Sequence, residues 1–197
     1  MKQTLVFIDG NAFKHYLSKC CNDKLDRYFK YKDFCDSLMN NDEELIRIYY
    51  YSALPAEYFP GMTEEEQEKT QRLLTGRKIF IKNLKQSGNV DVELGHTRFK
   101  GRDGNGEPDF EEKGVDVKLA SDMIKYTFVG DYDVFYILTA DNDIAYCMKT
   151  ARDFGKTVKW VDISTNQPSV RENLSQEADK KIDLKTEEVK KFSATPK

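Results

Sequence analysis

The sequence predicts an α/β protein of three layers, with helices on both faces of a mainly parallel central sheet, and three observations predict it. Leu5-Val-Phe-Ile8 and Val134-Phe-Tyr-Ile-Leu138 are unbroken apolar runs of strand length, the pattern of strands buried on both faces. Strand-like runs alternate along the chain with segments of helical period, which argues for parallel strands joined by helical crossovers. Several runs end at an Asp where a turn or helix begins, the place where open parallel sheets gather ligands and metal ions.

Taken in order, Leu5 to Ile8 reads as the central first strand, closed by Asp9-Gly10-Asn11. A helix is expected from Ala12 to about Cys21, and a second near Tyr31 to Met39 after a Tyr/Phe/Lys-rich stretch. Ile46 to Ser52 reads as the second strand, ended by Ala53-Leu54-Pro55. Thr63 followed by three glutamates has the form of a helix cap with acids in the first turn. That helix should run to about Gln86 with Leu73, Leu74, Ile79, Phe80 and Leu84 facing inward, and Gly76 is a candidate break. Val90 to Leu94 alternates apolar and charged residues like a strand near a sheet edge. The polar, glycine-containing stretch Lys100 to Lys113 reads as a mobile loop. A helix from Val115 to about Phe128, the Val134–Leu138 strand, a helix from Asn142 to Phe154 stopped by Gly155, and a last strand Thr157 to Val161 complete the pattern. These elements define a domain over residues 1–163. Residues 164–197 read as a charged tail with a short amphipathic helix around Val170 to Ala178 and a frayed end.

Composition narrows the chemistry. In 197 residues, 39% apolar and 12% aromatic, there is enough for one well-cored domain and too little for two of full size. No apolar stretch approaches the ~20 residues that span a bilayer, and a strand-like run follows Met1 almost directly, so a soluble, cytoplasmic protein is expected. Cys20, Cys21, Cys35 and Cys147 form no C-x-x-C pair and lie far from His15 and His96, which argues against zinc and against a disulfide framework. With only two histidines, His-centred acid–base catalysis is a poor expectation.

Carboxylates remain. Asp9 follows the first strand, and Asp141 and Asp143 follow the Val134–Leu138 strand, so the three meet if those strands are neighbours. Asp116 falls in the first turn of a helix, where the dipole favours an anion. Singly, Asp9 could start a turn and Asp143 could cap a helix; jointly, packed carboxylates repel one another unless a cation compensates. Oxygen donors without His or Cys suit Mg²⁺ or Mn²⁺. Asp122 lies roughly 120° around the helix from Asp116 and is expected to support the site from behind. Asn142 is expected to face solvent or hydrogen-bond within its loop.

Ile8-Asp9-Gly10-Asn11, Lys113-Gly-Val-Asp116 with Asp122 six residues on, and Thr139-Ala-Asp141-Asn-Asp143-Ile resemble, in order and spacing, the three signature segments of the NYN domain, a branch of the PIN-like nuclease superfamily with a Rossmann-like sheet. The resemblance covers about residues 4 to 163. It implies that Asp9, Asp116, Asp141 and Asp143 bind Mg²⁺ or Mn²⁺ and position a hydrolytic water. It also implies that Asn11 bonds to the carboxylates or the scissile phosphate, and that Thr139 braces the acidic loop or contacts a ligand. Ala140 stands where the family commonly has Gly, and Asn142 where it has Ser or Gly; neither removes a ligand.

A nucleic-acid partner needs positive potential, and the net charge is −3. Arg77 to Arg102, however, holds seven bases against two acids. Arg98, Lys100 and Arg102, with Lys113 beside Asp116, are therefore the expected phosphate-backbone contacts, the competing reading being a solvated face. The aromatics of Tyr28 to Lys32 and Tyr49 to Tyr51 are better explained by core packing than by base stacking. The tail, nearly balanced in charge, is expected to dock on the domain or to mediate a homo-oligomer. The function expected is a Mg²⁺- or Mn²⁺-dependent endoribonuclease acting on single-stranded or structured RNA. The alternatives are an RNA- or nucleotide-binding regulatory module with little turnover and, lower, a metal-dependent phosphatase or other phosphoryl-transfer enzyme with an Asp nucleophile, ranked lower because the Asp141-x-Asp143 pair does not follow the first strand, where such enzymes place theirs.

Overall fold

The computed structural model describes residues 1–21, 29–163 and 168–193, so Tyr28 and the side chain of Cys21 lie outside the described residues. Strand β1 (Lys2–Asp9) leads into α1 (Gly10–Cys21); α2 (Tyr31–Leu38) precedes β2 (Glu43–Ala53) and α3 (Glu64–Gln86). Then come β3 (Val90–Arg102), β4 (Pro108–Lys113), α4 (Val115–Phe128), β5 (Val134–Leu138), a 3-10 turn (Asn142–Ile144) and α5 (Ala145–Asp153). The chain closes with β6 (Thr157–Asp162), α6 (Pro168–Gln176), β7 (Lys180–Asp183) and α7 (Thr186–Lys190). The sheet order is β4-β3-β2-β1-β5-β6-β7, parallel except for the antiparallel β3–β4 pair.

β1 sits in the middle because it is apolar on both sides. Val6 and Ile8 enter the core under α1, α2 and α3, while Leu5 and Phe7 enter the core under α4 and α5. Its neighbours β2 and β5 run in the same direction, Asp9 standing beside Tyr51 and Ile8 beside Leu138. The segments after β1 and β5 therefore leave the sheet side by side at one edge, as the sequence predicts.

Gly10 makes that junction. A Cβ there would come within 2.4 Å of Tyr50 Cζ and 2.6 Å of the Tyr51 carbonyl, and the Tyr50 hydroxyl donates to the Gly10 carbonyl at 3.2 Å. Backbone cannot move aside as a flexible side chain would. Gly10→Ala is expected to cost about 3 kcal/mol, the upper end of overpacking, read as a lower urea midpoint at unchanged m.

Three expectations need correction. The predicted mobile loop from Lys100 to Lys113 is a hairpin: β3 continues to Arg102, and β4 returns as the outer strand. Asp103 Oδ1 accepts from Asn105 N–H and Glu107 N–H to fold the turn, and Phe99 and Phe110 pack with buried Phe59. The strands look polar because both faces are largely exposed. In α3, Gly76 does not break the helix, and Leu73 and Ile79 are 54% and 55% exposed. The inward stripe is Leu74, Phe80, Ile81 and Leu84; one residue is about 100° of turn, which carries Ile79 to the outer face, and the stripe's drift along the helix selects Leu74 over Leu73. Beyond residue 163, the stretch read as a charged tail supplies α6, the edge strand β7 and α7, with Leu174 and Val189 buried.

Among the described residues no helix is long and apolar enough to cross a membrane. Cys20, Cys35 and Cys147 are free thiols, and burial pushes the Cys35 thiol well up.

Candidate active site

Asp9 ends β1 as a buried carboxylate, 8% exposed. Its Oδ1 accepts the N–H groups of Asn11 (3.1 Å) and Ala12 (3.0 Å) at the start of α1, and its Oδ2 accepts the Thr139 hydroxyl (3.3 Å). Thr139 is the hinge pin of the site. It is fully buried, its Oγ1 also accepts Asp141 N–H (3.1 Å), and its carbonyl accepts Trp160 Nε1 (3.0 Å). One hydroxyl thus couples the acid after β1 to the acidic loop after β5. Asp141 Oδ1 in turn accepts Asp143 N–H (3.0 Å), capping the 3-10 turn.

Asp116 enters from a third segment. Gly114, at φ +79°, turns the chain out of β4 and starts α4, where Asp116 occupies the first turn. Burial pushes the Asp116 carboxyl above its ordinary value, and the charges of Asp141 and Asp143 push it further. Burial likewise raises Asp9; the Asp116 charge adds to this, while the bonds from Ala12, Thr139 and Asn11 oppose it. The four acids named from the sequence are therefore electrostatic neighbours. Behind them, Asp122 Oδ2 accepts the Tyr51 hydroxyl (3.0 Å), so it packs against β2 rather than lining the pocket.

Two features were not foreseen. Glu112, on β4, feels Asp9 and Asp116 as well: burial raises its carboxyl most, Arg77 opposes that, the two aspartates add to it and Lys14 opposes again. Asn142, expected to face solvent or to hydrogen-bond within its loop, has its Oδ1 buried without a hydrogen-bond partner among the described residues. No local pattern marks Glu112, which sits in a charge-rich stretch and reaches the site only through the β3–β4 pairing.

The predicted phosphate contacts behave differently. Arg102 bonds to both Glu66 carboxylate oxygens (2.7 and 3.0 Å) and to the Gly61 and Gly106 carbonyls, fixing the hairpin to the start of α3. Lys100 pairs with Asp109 (3.2 Å), Lys113 with Glu111 (2.6 Å), and Arg98 faces Glu111 across the strands. Asn11 contributes its backbone N–H to Asp9.

The donor set is hard: carboxylate oxygens, with no thiolate or imidazole among them. That chemistry fits a divalent cation such as Mg²⁺ or Mn²⁺ and would relieve the repulsion that raises Asp9 and Asp116. Among the described residues no three His, Cys, Asp or Glu side chains converge closely enough to hold an ion by themselves. Mg²⁺ commonly takes one or two carboxylates and keeps several waters, so the donor set is compatible with it.

The family model of the NYN domain matches residues 3–185. No curated protein matches the chain.

Proposed function

The chain belongs to the NYN domain family, a branch of the PIN-like nucleases, and on that premise we propose that it is a Mg²⁺- or Mn²⁺-dependent endoribonuclease hydrolysing phosphodiester bonds in single-stranded or structured RNA. The observation that carries the proposal is the gathering of Asp9, Asp116, Asp141 and Asp143, from three separate segments, at one sheet edge with raised carboxyls at Asp9 and Asp116.

Asp9 and Asp141 are the anchored pair, fixed by Thr139 and by backbone N–H groups, and would hold the cation with Asp116 and Asp143 completing its water-filled shell. When bound, such an ion polarises a phosphodiester oxygen and makes a nearby water more acidic. Asp116, more open than the buried Asp9, would orient the attacking water and accept its proton. Asn11, exposed at the first turn of α1, is placed to contact the scissile phosphate or its neighbour. The substrate class follows from the family.

A second reading, an RNA- or nucleotide-binding module with little turnover, is favoured by the absence of a tight three-ligand cluster among the described residues. One experiment separates the two. Labelled single-stranded RNA and DNA are incubated with the protein in Mg²⁺, Mn²⁺ or EDTA, beside the Asp141→Asn variant. RNA fragments that require metal and vanish in the variant are the expected result. Binding without products under every condition would overturn the enzyme and leave the module.

A further inference from the structure

A polyanion approaching this pocket meets the carboxylates of Asp9, Glu112, Asp116, Asp141 and Asp143, and Lys100, Arg102 and Lys113 of the hairpin are engaged by acids. Affinity that does not depend on charge has a place on the other side of β1, where α4 and α5 begin. The 3-10 turn that carries Asp143 runs on into α5 without a break, Ile144 and Ala145 both having right-handed helical backbone. Residues three apart on such a backbone are neighbours on one face, with roughly 5–6 Å between their Cβ atoms, so Tyr146 stands next to Asp143. Its ring is 76% exposed in the first turn of α5, and helical side chains lean towards the helix N-terminus, which here is the acidic end. Val117, the residue after Asp116, is 69% exposed in the first turn of α4, and α4 packs beside both the 3-10 turn and α5. Each of the two open acids of the pocket, Asp116 and Asp143, therefore has a large apolar side chain in water beside it. Lys149, three residues beyond Tyr146, feels its hydroxyl but is paired with Asp153.

We infer that Tyr146 is a substrate-positioning residue, the platform on which a base of single-stranded RNA stacks so that the backbone beside that base lies along the acidic pocket. The inference rests on the nuclease reading and adds to it a selection for unpaired strands. Stacking on a ring tolerates any base and needs no cation, which suits a pocket whose own charge repels the backbone. It does need a free base face: inside a duplex both faces are covered by neighbouring pairs, whereas a single strand can splay a base out. A tyrosine that is merely on the surface would affect neither stability nor RNA binding.

The test reads binding apart from cleavage. Fluorescence anisotropy of a labelled short RNA of mixed sequence, alone and annealed to its complement, is followed over a salt series in the Asp141→Asn background, with Tyr146→Ala and Tyr146→Phe added in turn and folding checked by urea midpoint. Tyr146→Ala is expected to weaken single-strand binding about tenfold and to leave duplex affinity unchanged. The slope of log affinity against log salt should stay as it was, since no phosphate contact is lost. Tyr146→Phe keeps the single-strand affinity, because the ring and not the hydroxyl supplies the contact. Unchanged single-strand affinity in folded Tyr146→Ala, or equal losses on strand and duplex, would overturn the inference, and a lowered urea midpoint accompanying the loss would reduce Tyr146 to a structural role. If the protein binds the strand but, with Asp141 intact, cuts no RNA, the nuclease reading fails and the binding arm still decides Tyr146; if it binds no single strand, the inference falls whether or not RNA is cut.

Discussion

Lys159→Met is expected to lower the free energy of unfolding by about 3–5 kcal/mol, measured as a drop in urea midpoint at pH 7. Lys159 sits in β6 with its side chain 5% exposed and pairs with Glu43 of β2, 2% exposed. The ammonium also donates to the Tyr136 hydroxyl (2.8 Å) and lies over that ring (4.7 Å), while the Tyr136 hydroxyl donates to Glu43 Oε2 (2.6 Å). Asn40 closes the ring of contacts, its backbone N–H (2.9 Å) and its side-chain amide (3.2 Å) both donating to Glu43. Removing the ammonium leaves a carboxylate in a site that water does not reach. The cost is the stranded charge rather than the worth of the pair, so Lys159→Met with Glu43→Gln should recover most of the loss.

The pH dependence of this cluster has a definite sign. Burial pushes the Glu43 carboxyl up, but the bonds from Asn40, Lys159 and Tyr136 outweigh it and hold the group below its ordinary 4.5. A depressed carboxyl stabilises the fold above its unfolded value and loses that contribution as pH falls through the folded value. The wild-type protein should therefore lose more stability than the double variant on acidification below about pH 4.5, and equal losses would show that the pair contributes nothing through Glu43.

What the sequence revealed and what it concealed divide along one physical line. β1, β5 and α4 were legible because each is specified by its own residues: an apolar run buried on both faces, or a helical period opened by Gly114. Asp9, Asp141 and Asp143 stood out because they follow such runs, and Asp116 because it falls in the first turn of α4. The β4 strand was not legible, because its own residues are mostly charged and the ring of Phe59 that anchors Phe110 is distant in sequence. Glu112 was hidden with it. Lys159 passed as one residue of a strand because nothing local announces that Glu43, 116 residues away, buries opposite it. The bases Lys100, Arg102 and Lys113 show what a charge count leaves out: the local excess is visible in sequence, while the acids beside it, Asp109, Glu66 and Glu111, are brought in by the fold.

Asp116→Asn is expected to lower the cleavage rate by about 10²–10⁴-fold and, in metal-free protein at pH 7, to raise the urea midpoint rather than lower it. Two effects compete at this carboxylate. The first turn of α4 favours an anion by about 0.3–1 kcal/mol at an exposed site, and an amide forfeits that. Against it stand partial burial and the charges of Asp141 and Asp143, and the balance is already visible in the direction of the shift: the Asp116 carboxyl is raised above 3.8, so in the folded protein the charged form is the disfavoured one. For a raised carboxyl the destabilisation is absent below the unfolded value, grows as pH rises through the folded value and is complete at neutral pH. The gain in the variant should accordingly appear at pH 7 and shrink towards pH 3. Asp9→Asn should show no such gain, because three donors converge on that carboxylate and an amide cannot accept all of them. Thermal melts with and without Mg²⁺ or Mn²⁺ complete the argument: an ion that binds only the folded state raises the wild-type midpoint by mass action, and the same ion should raise the Asp116→Asn midpoint less. A variant that is inactive, no more stable than wild type at pH 7 and equally stabilised by the ion would show that Asp116 neither repels its neighbours nor helps to hold a cation.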